Sequence, residues 1–252
     1  MTAISGIKQE SAMNTASNPF SEIWNLRDAK LFQGLSSDEL EQMLELMPTY
    51  SYRQGEFIFY AGDIADSLFV LQTGTVKVAY ITLNGDEKIL NIFRSGDVFG
   101  ELFLGKYRHR IGEAQALEDV VVCKLCEEDF LNLIQRFPRV ALNFIRHLAD
   151  EQRETLARMH ALMRADARYR LLGTLLSVAR RYCCDDGDWF NLPASLTQED
   201  IANMAGLNRS TVSSLINELR REGVLGGSGR SLAVNRAAIQ QILEDAGLEV
   251  LE

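Results

Sequence analysis

Residues 195 to 234 constrain the fold more than any other stretch of this chain. They read Ser-Leu-Thr-Gln-Glu-Asp-Ile-Ala-Asn-Met-Ala-Gly-Leu-Asn-Arg-Ser-Thr-Val-Ser-Ser-Leu-Ile-Asn-Glu-Leu-Arg-Arg-Glu-Gly-Val-Leu, then a glycine-rich turn and a second short strand. Thr197 is placed to cap a first helix, with Glu199 and Asp200 in its opening turn. Ile201, Met204 and Ala205 form the buried stripe of that helix, and Gly206 supplies a turn in which a β-carbon would be strained. Asn208 is placed to cap a second helix, whose Val212, Leu215, Ile216 and Leu219 recur at helical spacing. Arg209, Ser210, Ser213 and Ser214 are left on its outer face, where a recognition helix meets base edges in the major groove.

Two amphipathic helices joined at a glycine also occur in domains that never touch DNA. The following residues tip the balance. Val224-Leu225, the turn Gly226 to Arg230, and Ser231 to Val234 predict a small hairpin, or wing, with Arg230 at its tip. From Gly206 to Arg236 there are five arginines and two glutamates, a local charge of +3. That is the electrostatic footprint of phosphate contact. The whole chain carries −9, so DNA contact has to be confined to this patch.

With 252 residues and 46% hydrophobic content, two cored domains are affordable. No apolar run reaches membrane-spanning length, and residues 1–19 lack the features of a signal peptide. A cytoplasmic protein with a mobile N-terminal arm is expected. Cys123 and Cys126 form a C-x-x-C, but Val120 to Leu125 looks like a strand in which cysteine packs as a small hydrophobe. Cys183 and Cys184 are vicinal and distant, so no metal site is expected. His109, His147 and His160 are scattered and read as solvated side chains.

Residues 20 to 47 look helical, with a start signal at Ser36-Ser37-Asp38-Glu39. From Thr49 to Leu125 the pattern becomes short β-rich runs: Phe57–Tyr60, Ser67–Leu71, Val76–Ile81, Lys88–Phe93 and Val120–Leu125. Asn84-Gly85 between two of them is a hairpin signal, and the spacing indicates a small barrel or roll. A long helix follows from about Val140 to Met163. Ile145, Leu148, Gln152, Thr155, Met159 and Leu162 alternate at three and four, the spacing of a coiled-coil seam that would pair with a second copy. Leu142, Leu156 and Met163 lie beside that seam, available for packing on the roll. A hinge at 165–168 leads to a helix from Arg168 to Arg181. The expected fold class is α+β, divided into an arm (1–19), a jelly-roll-like β-roll (20–138), a dimerisation helix (139–164) and a winged helix-turn-helix (165–252).

A roll, a pairing helix and a winged helix-turn-helix in this order resemble the CRP/FNR family of bacterial transcription regulators. The most specific pieces are Gly62-Asp63, Gly74, Gly96-Asp97-Val98-Phe99-Gly100-Glu101-Leu102 and Thr197 to Leu225. In cyclic-AMP-binding members, the resemblance implies, a glycine-glutamate pair and a later Arg-Ser hold the nucleotide. Here Gly100 and Glu101 match and Arg110 stands at the phosphate-facing arginine, but Ile111 follows it in place of Ser or Thr. On the long helix Thr155 matches an adenine-facing position, and the polar position after it is Leu156. Each loss removes a hydrogen-bond partner. The effector candidates are therefore Gly100, Glu101, Leu102, Arg110, Ile111, Thr155 and Leu156, with cyclic AMP not expected and no cofactor required. Gly100-Glu101 also reads simply as a turn that maintains the roll.

The resemblance further implies a homodimer on a palindromic operator, and RNA polymerase as a partner if the protein activates. The DNA-contact candidates are Thr197, Gln198, Asn208, Arg209, Ser210, Ser213, Ser214 and Arg230. Ser210 and Ser214 replace the family's glutamate and second arginine, so a TGTGA or TTGAT half-site is not expected. The alternatives are a cyclic-nucleotide regulator with an atypical pocket, or a haem or redox sensor. An iron–sulfur sensor of the family would need an N-terminal cysteine group, and no cysteine precedes Cys123. An enzyme is not expected, since no nucleophile-base set or P-loop occurs.

Overall fold

The computed structural model describes residues 29–44, 47–182, 187–227 and 231–248. The N-terminal arm, Cys183, Cys184 and Arg230 lie outside them. Helix α1 spans Ser37–Leu44 and starts where the sequence signals it. Ser36 N–H donates to Glu39 Oε2 (2.7 Å) and Glu39 N–H to Ser36 Oγ (3.3 Å), a reciprocal cap. The helical reading of 20–47 was too broad, because Lys30–Phe32 forms a separate short turn that buries Leu31 and Phe32.

Eight antiparallel strands make two four-stranded sheets. They are β1 (Thr49–Tyr52), β2 (Phe57–Phe59), β3 (Ser67–Thr73), β4 (Thr75–Ile81), β5 (Glu87–Arg94), β6 (Val98–Phe99), β7 (Glu113–Ala116) and β8 (Val120–Cys126). One sheet runs β1-β8-β3-β6 and the other β2-β7-β4-β5. Asn84-Gly85 sits in the β4–β5 hairpin as expected, with Gly85 at φ +85°. Alternation along each strand sends Phe59, Phe69, Leu71, Val76, Phe93 and Phe99 between the sheets. Phe69 and Phe93 each stack on Phe99, with centroids 5.2 and 5.3 Å apart. Cys123 is buried in β8, and its sulfur takes a hydrogen bond from Gln72 (2.9 Å). The Cys126 thiol donates to Asp129 (2.6 Å), and burial together with that carboxylate pushes its pKa up. The C-x-x-C thus belongs to the strand and to the helix start after it.

Helix α2 (Glu127–Arg136) turns the chain into α3 (Pro138–Leu162), the long helix. Val140, Phe144 and His147 of α3 are buried on the body. His147 is therefore not the solvated side chain expected of it; its ring lies 6.2 Å from that of Phe144. After the bend at 163–166 comes α4 (Ala167–Tyr182). A three-stranded sheet of β9 (Trp189–Asn191), β11 (Ala233–Asn235) and β10 (Leu225–Gly226), in the order β10-β11-β9, packs with α5 (Gln198–Ala205), α6 (Arg209–Arg221) and α7 (Arg236–Asp245). Strand β9 is too short, at three residues, to show a period in the sequence.

The core of this second unit does not stop at its own residues. Leu171, Leu172, Leu175, Ile201 and Val212 share one apolar cluster with Ala79, Ile89 and Ile92 of the roll. Helix α5 packs directly on β5.

Candidate nucleic-acid interface and inter-unit cavity

Helix α5 is fixed at its start by a complete capping box. Thr197 Oγ1 accepts from Asp200 N–H (3.2 Å), and Asp200 Oδ2 accepts from Thr197 N–H (2.8 Å). Gly206 ends it at φ +61°, the left-handed conformation expected of that position. Asn208 occupies the N-cap of α6, but its side chain makes no capping bond there. Val212, Ile216 and Leu219 face inward as expected.

The centre of the opposite face runs through Ser210, Ser214, Asn217 and Arg221, all exposed. Ser213 lies on its flank and is half-buried. Arg209, at the first turn, has 71% of its side chain exposed, with Glu199 of α5 at 4.0 Å. Thr197 is exposed and Gln198 half-buried at the start of α5, beside this face. Arg209 is thus not the one long donor that the sequence suggested: Arg221 stands on the same exposed face near the other end. A helical wheel of 209–221 would have found Asn217 and Arg221; attention to the amino end concealed them.

The two glutamates of the basic stretch are both spoken for. Arg168 of α4 donates to Glu222 (2.5 and 2.9 Å) and to Glu218 (2.5 Å). The hydrogen bond to Glu222 is the chief cause that raises the Arg168 pKa, and the same bond holds the Glu222 carboxyl below its ordinary value. Both acids are thus engaged by Arg168, while Glu199 of α5 stands beside Arg209.

A second feature is a cavity of about 370 Å³ between the roll, α3 and the helices of the second unit. Gly100, Glu101, Arg110, Ile111 and Thr155 line it. Leu102 lies in the turn Glu101–Leu104 that borders it. Leu156 does not reach it; that side chain points to solvent and is 54% exposed. Arg110 is 4% exposed and committed to the protein. Its Nη1 donates to Gly100 O (2.7 Å), its Nη2 donates to Ser67 O (2.6 Å), and the guanidinium lies 4.4 Å from the Phe59 ring centre. Burial lowers its pKa. Gly100 is required here, since at φ +85° an added β-carbon would meet Arg110 Nη1 at 2.9 Å.

Sequence reasoning missed the rest of the lining. Asn91 Nδ2 donates to Glu151 (2.9 Å), and Arg158 donates to Asn91 Oδ1 and to Thr155 Oγ1, each at 3.2 Å. Glu151 and Arg158 stand four before and three after Thr155, so helical spacing could have revealed them. Gly173, Thr174 and Ser177 of α4 and Met204 of α5 close the far end, a juxtaposition that no local pattern encodes.

The exposed side of α3 carries a second register beside the seam read in the sequence, whose Ile145, Leu148, Met159 and Leu162 are exposed as well. Opposite its buried stripe lie Leu142, Ile145, Ala149, Gln152, Leu156, Met159 and Met163, again at alternating steps of three and four. Leu142, Leu156 and Met163 are exposed, so they do not pack on the roll. Ile145, Gln152 and Met159 belong to both registers. Leu148 sits at the edge of the stripe. Thr155 and Leu162 turn toward the cavity, and Leu162 lies 3.7 Å from where a β-carbon on Gly206 would be.

Residues 49–137 match the family model of the cyclic nucleotide-binding domain, and residues 169–242 that of the Crp-like helix-turn-helix domain. The chain is 32% identical over 214 residues to the cyclic AMP receptor protein of Thermus thermophilus, covering 85% of this chain and 96% of that one. It is 28% identical over 210 residues to the fumarate and nitrate reduction regulatory protein of Escherichia coli K12, covering 82% and 84%. Among solved structures, FixK2 from Bradyrhizobium japonicum superposes with a TM-score of 0.67 at 26% identity, covering 77% of this chain and 96% of that one.

Proposed function

The chain belongs to the CRP/FNR family of DNA-binding transcription regulators, and on that premise we propose that it acts as a homodimer on a palindromic operator under an effector other than cyclic AMP. The dimer rests on the exposed stripe from Leu142 to Met163. Its apolar members lie on one face of a helix whose other face is already buried, and a second copy is the partner that matches a stripe of alternating three and four. The units follow the chain: a sensor roll up to 138, a pairing helix from 139 to 164, and the DNA-binding unit from 165, with an arm at 1–19. The DNA contacts proposed are Thr197, Gln198, Asn208, Arg209, Ser210, Ser213, Ser214 and Arg230, to which the exposed face of α6 adds Asn217 and Arg221. Work on DNA places the protein in the cytoplasm, with RNA polymerase as a partner where it activates. No helix among the described residues is long and apolar enough to cross a membrane.

The state of Arg110 is the observation that carries the effector reading. Two of its five N–H donors are held by the Gly100 and Ser67 carbonyls, so a cyclic phosphate would meet only the remaining ones, including the buried Nε, which has no partner among the described residues. Ile111 at the cavity wall offers no hydroxyl in compensation. The match to the cyclic nucleotide-binding domain and the likeness to the Thermus protein favour the second reading, an atypical cyclic-AMP regulator. Titration calorimetry with cyclic AMP, paired with duplex binding in its presence and absence, separates the two. No heat and no change in DNA affinity are expected. Micromolar binding with a gain in DNA affinity would establish the second reading.

A further inference from the structure

We propose that the inter-unit cavity takes an uncharged, mainly apolar small molecule that touches both units at once and holds the helix-turn-helix against the roll. This deepens the regulator reading above and rests on it. Four charged side chains line the cavity, Glu101, Glu151, Arg110 and Arg158. Two are acids and two are arginines, so the formal charge of the wall is zero and an ionic ligand would be desolvated without a net counter-charge. The remaining wall is dominated by Phe59, Phe93, Phe99, Ile89, Met159 and Met204. Aromatic rings with polarisable thioethers favour a flat apolar body, and Thr174 and Ser177 supply hydroxyls for one or two hydrogen bonds. A volume near 370 Å³ suits a molecule of drug-like size.

The placement of the wall gives the ligand its leverage. Gly173, Thr174, Ser177 and Met204 come from the DNA-binding unit, whereas Phe59, Phe99 and Arg110 come from the roll. The cavity in this form exists only while α5 lies on β5. A molecule that fills it binds this arrangement in preference to any other, and by mass action shifts the population toward it. The helix that carries Met204 is the first helix of the helix-turn-helix, so the ligand acts on the DNA-reading element without an intervening relay.

Prodan, a neutral solvatochromic naphthalene ketone, tests the proposal on the full chain. Its emission should move to the blue and saturate at one molecule per protomer. Anilinonaphthalene sulfonate, a similar ring system bearing a charge, should bind about tenfold more weakly or worse. Ser177→Leu fills the far end and should weaken prodan by about tenfold, while Ser177→Ala, which keeps the space and removes one hydroxyl, should weaken it by no more than a few-fold. Should Ser177→Leu lose its circular dichroism, Met204→Ala removes wall contact at the same end and should weaken prodan several-fold. Hydrogen exchange in α5 should slow when prodan is bound. Prodan binding that ignores both Ser177→Leu and Met204→Ala, a preference for the sulfonate, or unchanged exchange in α5 would each overturn the proposal. Duplex binding without probe distinguishes the two levels: its absence removes the regulator reading itself, whereas its presence beside a missing prodan site removes this inference alone.

Discussion

Leu156→Glu should break the dimer, and its size can be worked out from the exposed stripe of α3. Leu156 is 54% exposed in the protomer and sits at the centre of that stripe. Burying a leucine in full contributes about 1.5–3 kcal/mol, so covering its exposed half contributes about 1 kcal/mol per copy and ~2 kcal/mol per dimer. Across a two-fold axis the glutamates would face each other. Two like charges at roughly 6 Å and an effective dielectric of about 20 repel by ~3 kcal/mol. The sum, about 5 kcal/mol, is a loss of roughly four thousandfold in dimer affinity. Sedimentation equilibrium over a wide protein range measures it, with Leu83→Glu at the exposed hairpin tip as the control. Leu148→Glu provides the sharper comparison. Leu148 lies off the centre of the stripe at 39% exposure, so its effect should be the smaller. A larger loss for Leu148 than for Leu156 would select the register read from sequence over this one. A folded Leu156→Glu protein with an unchanged dimer constant would refute the pairing face altogether.

Arg209→Ala should lower affinity for the operator by about 1–3 kcal/mol and relax discrimination at one base pair, whereas Arg221→Ala should weaken all duplexes alike and flatten the salt dependence; binding to randomised sites at several salt concentrations reads both. Thr197→Ala removes the capping box of α5 and should cost about 1 kcal/mol in urea unfolding, with Thr197→Ser retaining most of it. The pH dependence follows from Glu222. Its folded pKa lies below the ordinary 4.5, so its pairing with Arg168 stabilises the protein above that value and is lost as pH falls through the folded value. The side chain is 39% exposed, and solvent screening keeps the effect small. Glu222→Gln should show a shallower loss of stability on acidification than the parent protein, and an identical acid slope would remove this assignment.

Much of the molecule was legible because its signals are local. Thr197, Asp200 and Gly206 announce the ends of α5 through cap chemistry that depends on three or four neighbouring residues. Asn84-Gly85 marks its hairpin in the same way. The buried stripe of α6 was legible because one face of that helix meets a single core. The failures share the opposite property. On α3, two registers of alternating three and four overlap at Ile145, Gln152 and Met159, and only the position of the roll decides which face is free. Leu156 illustrates the cost: the family pattern placed it beside an effector, yet packing of Phe144 and His147 turns it outward. The far wall of the cavity was invisible for a related reason. Ser177 and Met204 lie more than sixty residues from any other lining residue of the roll, and their approach depends on two units docking.

That docking bears on how such a protein can be re-engineered. Ala79, Ile89 and Ile92 belong to the roll by chain position and to the DNA-binding unit by burial. A chimaera cut at the bend after α3, with residues 165–252 grafted onto a foreign sensor, would present the partly buried Met204 to whatever surface the new neighbour offers. Grafts of that kind should inherit poor solubility or constitutive behaviour unless the outer face of β4 and β5 travels with them. The functional joint of this molecule thus runs through the middle of a β-hairpin, about eighty residues upstream of where the backbone bends.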